Sequence, residues 1–270
     1  MRQESETQHT HPTPGRSPEH DAGASPVALQ LQRKSQELEE AHRELMSFSY
    51  SVSHDLRTPL RHVEGFAKML EDNLGDDLDE TGRRCLGVIR DAIGRMGRML
   101  DDLVAFSRLV RQDMRPTDVD LGGLVAAIRE GQAQACEGRN VTWEIHALPH
   151  VTGDEGMLRL ALTNLIGNAL KFTSKRPEAR IEVGGEIGQD GVRLYVRDNG
   201  AGFDGARAEG LFGVFKRMHR DEEFEGSGMG LAETRRIVLR HGGQIWAESA
   251  PDCGATFFIA LPPPIQNPES

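Results

Sequence analysis

The chain has 270 residues, enough for one large domain or two ordinary ones, and its 37% hydrophobic content reads as globular. Forty-two acidic against thirty-two basic side chains leave a formal charge of -10, which disfavours sequence-independent binding to a nucleic-acid backbone. Cys85, Cys136 and Cys253 lie far apart with no C-x-x-C pair, so neither a disulfide framework nor a thiolate zinc site is indicated, and a reducing cytoplasm is the expected location. No apolar run reaches the roughly eighteen residues of a membrane span, and the N-terminus lacks the layout of a signal peptide.

Residues 1–26 hold four prolines and no Leu, Ile, Val or Phe, too little apolar surface to order a chain, and are expected to form a disordered tail. From Val27, Leu31, Leu38, Leu45 and Val52 recur every seven residues among charged neighbours, predicting a coiled-coil lead-in. The seam resumes past Pro59, through Leu60, Val63, Ala67 and Leu70, and stops at the turn 75–79. A second helix follows with Leu86, Ile89, Ile93, Met96, Leu100 and Leu103 alternating three and four apart. Two such helices form a hairpin with an apolar seam that has nothing to cover it. A homodimeric, antiparallel four-helix bundle over 27–112 is the expected solution.

Pro116 ends the heptads and marks a linker at 113–118. Beyond it, over 119–262, the runs 141–147, 179–187, 192–198, 243–249 and 256–262 read as strands, and 121–136, 155–172 and 229–240 as helices. This half is therefore an α/β domain, a sheet covered by helices on one face, with residues 263–270 as a tail.

Candidate chemistry clusters at five places. In SVSHDLRTPL, His54 lies two residues from both Val52 and Leu56, on the face opposite the seam, where a neutral imidazole is an exposed nucleophile. Asp55 is placed to accept from one ring nitrogen, and Thr58 presents a hydroxyl one turn later. In NLIGNALKF, Asn164, Asn168 and Lys171 form a polar stripe opposite Leu162, Leu165, Ile166 and Ala169; carboxamide oxygens suit Mg²⁺, and an ammonium suits phosphate. DNGAG sets Asp198 at a strand end, with Gly200 and Gly202 where the chain turns tightly. GSGMGL puts Gly226, Gly228 and Gly230 directly before a helix, as in a backbone cradle for phosphate. Between them, 203–225 reads as a lid with Leu211, Phe212, Val214 and Phe215 as its apolar anchors.

In this order and spacing, SHDLRTPL, NLIGNALKF, DNGAG, LFGVF and GSGMGL resemble the H, N, first glycine, F and second glycine boxes of sensor histidine kinases, over residues 48 to 261. The stretch after Val214 is most similar to the phytochrome-associated kinases. The resemblance implies a dimeric hairpin that carries the phosphoacceptor, then an α/β sandwich of the Bergerat type that binds ATP and Mg²⁺. It implies His54 as the phosphorylated residue, Asp55 as its orienting base and Thr58 as the residue that directs water during dephosphorylation of a response regulator. It implies Asn168 as the Mg²⁺ ligand with Asn164 nearby, Lys171 on the phosphates, and Asp198 on the adenine amino group. Gly200, Gly202, Gly226, Gly228 and Gly230 are implied to shape the pocket, and Phe212 and Phe215 to steady the lid. The implied partners are a second copy of the chain and the receiver domain of a response regulator. Only a tail precedes Val27, so the input is expected from a separate sensor protein or from the helices themselves. The rival expectations are a dimeric nucleotide-binding scaffold that regulates another kinase and an ATPase of the gyrase and chaperone group. Intact His54, Asn168, Lys171 and Asp198 disfavour the scaffold, and SHDLRTPL disfavours the ATPase.

Overall fold

A computed structural model describes residues 26–74, 77–205, 210–216, 218, 224 and 226–263; the side chains of 26–29, 31–32, 35–39, 41–50 and 110–111 fall outside that description. Most of the expected tails and much of the expected lid therefore lie outside the described residues, as do the side chains of the lead-in positions Leu31, Leu38 and Leu45. The chain divides into two units, 1–44 and 45–270. Of the first unit, the described part is the beginning of helix α1.

Helix α1 runs Pro26–Leu74 and continues through Pro59, and α2 runs Glu80–Arg111. Pro59 has no N–H, so it leaves the Asp55 carbonyl without its helical donor, but the helix does not end there. Asp79 starts α2 by accepting from Gly82 N at 2.7 Å. Ala67, Leu86 and Ile93 form the hairpin core, with Leu60 and Leu78 against them. Among the described residues two ion pairs cross the hairpin, Arg57 with Asp101 and Arg90 with Glu71, both at 2.6 Å. Much of the seam stays bare: Leu56, Val63, Leu70, Ile89 and Met96 are all about half exposed, and Phe66 beside them is 66% exposed. A two-helix hairpin can bury only one side of each seam.

The second half begins with β1 (Thr117–Asp120), α3 (Leu121–Gly131) and a 3-10 turn at Ala133–Cys136. Then come β2 (Val141–Ile145), β3 (His150–Gly153), α4 (Glu155–Phe172), β4 (Ala179–Gly188) and β5 (Gly191–Asp198). Helix α5 (Gly230–Arg240), β6 (Gln244–Ser249) and β7 (Ala255–Leu261) complete it. Five strands form one sheet in the order β2-β4-β5-β7-β6, parallel only between β2 and β4. β1 and β3 form a separate antiparallel pair that the sequence reading missed, so the expected linker runs directly into a strand. The helix expected over 121–136 is correspondingly two pieces, because Gly131 ends the first.

β7 shows why one sheet face is buried. Ala255, Phe257, Ile259 and Leu261 point into the core, while Thr256, Phe258 and Ala260 point the other way. The core joins these to Leu158, Leu162, Leu165 and Ile166 of α4 and to Leu121, Leu124 and Val125 of α3. On the outer face, Tyr195 lies over Gly184, where a Cβ would come within 2.5 Å of its ring. Helix α5 packs along the end of α2: Met229 and Ala232 meet Phe106, and Ile237 meets Leu109. At its far end the Arg240 guanidinium donates to the Leu109 and Gln112 carbonyls, capping the last turn of α2. Asp154 holds the connecting chain, accepting from Arg115 N and from Met157 N at 3.0 Å each.

Candidate functional site

The hairpin presents His54 to solvent. Its side chain is 69% exposed, and Nδ1 lies 3.2 Å from Asp55 Oδ1. A carboxylate only accepts, so in the neutral imidazole this contact selects the tautomer with the proton on Nδ1 and the lone pair on Nε2. Thr58 and Pro59 are exposed beside it, whereas its neighbour Ser53 is fully buried.

A cavity of about 200 Å³ opens in the α/β half between α4, the end of β5, the lid segment and the start of α5. At one end sits Asp198, only 5% exposed, whose carboxylate accepts from Gly200 N at 2.8 Å and from the backbone of Ala255. Burial outweighs those two bonds and the nearby Arg176, and pushes its pKa up to about 6. At the other end are Asn168 and Lys171 of α4 and the glycine lip 226–228. Gly226 (φ 145°) and Gly228 (φ 77°) have backbones that other residues rarely adopt. A Cβ on Gly226 would lie 3.2 Å from Lys171 Nζ, so the ammonium sits directly beneath the lip. Phe203, Leu211, Leu231 and Phe257 supply apolar walls. The pocket thus has an acceptor at one pole, a cation at the other and an apolar middle, which suits a planar base joined to phosphates.

Of the expected pocket residues, Asn168, Lys171, Asp198, Gly202, Gly226, Gly228 and Gly230 line the cavity. Asn164 does not. Its carboxamide donates to Gly230 O at 3.1 Å and to Glu233 Oε2 at 3.0 Å, tying α4 to the first turn of α5. Gly200 serves the Asp198 turn through its N–H, Phe212 packs on the core, and Phe215 is 42% exposed with φ 58°. Lys216, Met218 and Phe224 line the cavity and were missed; the only sequence signal for Phe224 was its position at the end of the expected lid. Phe224 sits edge-on to Phe172 at 5.1 Å, and Lys175 lies 4.8 Å above its ring.

Residues 44–112 match the family described as the His Kinase A (phospho-acceptor) domain, and residues 153–265 match the histidine kinase-, DNA gyrase B- and HSP90-like ATPase family. The chain carries the two-domain core of a sensor histidine kinase. It is 31% identical to phytochrome-like protein Cph1 of Synechocystis over 235 residues, which is 87% of this chain and 31% of that protein. It is 34% identical to the phosphate regulon sensor protein PhoR of Pseudomonas aeruginosa over 224 residues, 80% of this chain and 49% of that protein. Among solved structures, full-length ShkA in complex with AMPPNP aligns at TM-score 0.57 and 28% identity, covering 81% of this chain and 45% of the other. The chain spans 26 to 31% of the length of three of its curated relatives, two phytochrome-type proteins and a methanogenesis regulatory kinase. Both halves of the kinase core are those expected from the sequence, a helical phosphoacceptor region followed by an α/β ATP-binding domain. Among the described residues no helix is long and apolar enough to cross a membrane.

Proposed function

We propose that the chain is an ATP-dependent protein-histidine autokinase that phosphorylates His54 and passes the phosphoryl group to an aspartate of a response-regulator receiver domain. The observation that carries this reading is the pairing, in one chain, of an exposed Nε2 lone pair oriented by Asp55 with a base-and-phosphate pocket bounded by Asp198 and Lys171. In the reaction, His54 Nε2 attacks the γ-phosphorus of ATP, an N–P bond forms, and the bond to the ADP oxygen breaks. The Nδ1 proton, held against Asp55, leaves the resulting imidazolium and restores neutrality. Phosphoryl transfer asks chiefly for alignment and charge neutralisation, which Lys171 and the lip N–H groups supply in this reading.

Mg²⁺ fits the donor set in a specific way. Asn168 lines the cavity beside Lys171, and its carboxamide oxygen would be the protein's ligand to the ion, with nucleotide phosphates and water completing the shell. Bound there, the ion would neutralise phosphate charge. Thr58, exposed one turn after His54, is assigned to direct water when the regulator is dephosphorylated. The bare apolar faces of α1 and α2 support a homodimer in which each hairpin covers the other. We place the kinase in the cytoplasm, with the α1 lead-in as the element through which a signal reaches His54.

The test is incubation with Mg²⁺ and γ-labelled ATP. Acid-labile, base-stable label that disappears in His54→Gln is expected. ATP binding without any label would favour a nucleotide-binding scaffold instead.

A further inference from the structure

The nucleotide cavity is not closed at its phosphate end. Gly226 and Ser227 form one wall of that cavity and, on their other side, one wall of a second groove of about 840 Å³ on the hairpin. The hairpin side of this groove carries Lys68 of α1 and Arg90, Arg95 and Arg98 of α2. Arg90 is committed to Glu71. Arg95 and Arg98 have no carboxylate partner among the described residues, although Glu64 and Asp91 line the same groove. Gly94 leaves room for Arg98 to lie back along the helix, its Nη1 3.6 Å from where a Cβ would be. Seven residues past Gly94, Asp101 pairs with Arg57, three residues beyond His54, so this stretch of α2 runs up toward the phosphoacceptor.

These facts fix a direction. The base pole of the cavity is Asp198 and the phosphate pole is Lys171 beneath Gly226, so a nucleotide bound in that sense points its terminal phosphates over the lip toward α2. Inside the cavity the lining cations are Lys171 and Lys216, short of the charge of a nucleoside triphosphate. We propose that Arg95 and Arg98 are phosphate-binding residues that reach the β- and γ-phosphates across the Gly226–Ser227 lip while α5 is docked on α2. Arginine suits the task, because its planar fork binds phosphate oxygens two at a time and stays charged. The hairpin thereby contributes to nucleotide affinity and sets the terminal phosphate on the phosphoacceptor side. This proposal rests on the ATP-binding reading above.

The test compares ATP with AMP, by calorimetry on the full chain with Mg²⁺, for wild type, Arg95→Ala/Arg98→Ala, Arg95→Lys/Arg98→Lys and the control Arg84→Ala. Arg84 is exposed on the same helix, outside the groove. The double alanine variant is expected to bind ATP about tenfold more weakly, the loss of charge-assisted bonds to phosphate, with AMP affinity unchanged. The lysine variant should recover part of the difference, and the control should match wild type. Unchanged ATP affinity in the double alanine variant, with wild type binding normally, overturns this proposal alone. Equal losses for ATP and AMP also overturn it, since a general disturbance of the pocket would then be responsible. Absence of ATP binding in wild type overturns both this proposal and the reading on which it rests.

Discussion

Replacing Asp198 by asparagine should remove a pH-dependent cost to stability while weakening nucleotide binding. The unfolded carboxyl titrates at 3.8 and the folded one at about 6. Below 3.8 both states hold the proton and the site costs nothing. Between the two values the folded chain keeps a proton that the unfolded chain has lost, so stability falls as pH rises, and above about 6 the loss is complete. At about 1.4 kcal/mol per tenfold, the ionised group costs the folded chain about 3 kcal/mol at pH 8 and about 1.6 kcal/mol at pH 5. The carboxamide of the Asp198→Asn variant does not titrate. Whatever constant it adds by disturbing the bonds from Gly200 and Ala255, the variant's stability relative to wild type should improve by about 1.4 kcal/mol between pH 5 and pH 8. Trp143 and Trp246, the chain's two tryptophans, lie in β2 and β6, so urea unfolding followed by their fluorescence reports on this domain. ATP affinity should fall about tenfold in the same variant, because one amide oxygen replaces two carboxylate oxygens already shared with backbone donors. A relative stability that stays flat from pH 5 to pH 8 would refute the burial argument.

Three further outcomes are expected. Leu165→Ala, at a position 1% exposed in the main core, should cost about 2–5 kcal/mol by the same unfolding measurement. Asn164→Ala removes the donor to Gly230 and Glu233; burial already raises the Glu233 pKa and this bond opposes the rise, so the variant should lose about 1–3 kcal/mol at neutral pH and recover part of it in acid. Phe66→Glu, on the bare face of α1, should leave the melting of the α/β domain unchanged while light scattering shows the dimer shifting to monomer; an intact dimer would show that this face is not the interface.

What was legible in the sequence followed the length of each signal. Eighteen residues of periodic α4 located it to the residue, and β4, β5, β6 and β7 fell within one residue of the expected runs, with buried positions alternating along β5 and β7. β1 and β3 escaped because TDVD and HVTG are four residues each, too short and too polar to show a period. Helix spacing placed Asn164 with Asn168 and Lys171, but spacing cannot see a partner 66 residues away at Gly230. The exposure of His54 followed from two flanking apolar residues. The groove at Arg95 and Arg98 did not, since it exists only where α2 meets a glycine lip more than 120 residues later.

The double anchorage of α5 limits which changes of length the chain can accept. Its first turn is held by Asn164 and its last by the two carbonyls at the end of α2, and between them eleven residues make a rod about 16 Å long. Insertion of a single residue anywhere along it would carry Arg240 about 100° around the axis, away from Leu109 and Gln112. This helix tolerates substitution and resists insertion, and among homologues its residue count should vary less than its composition.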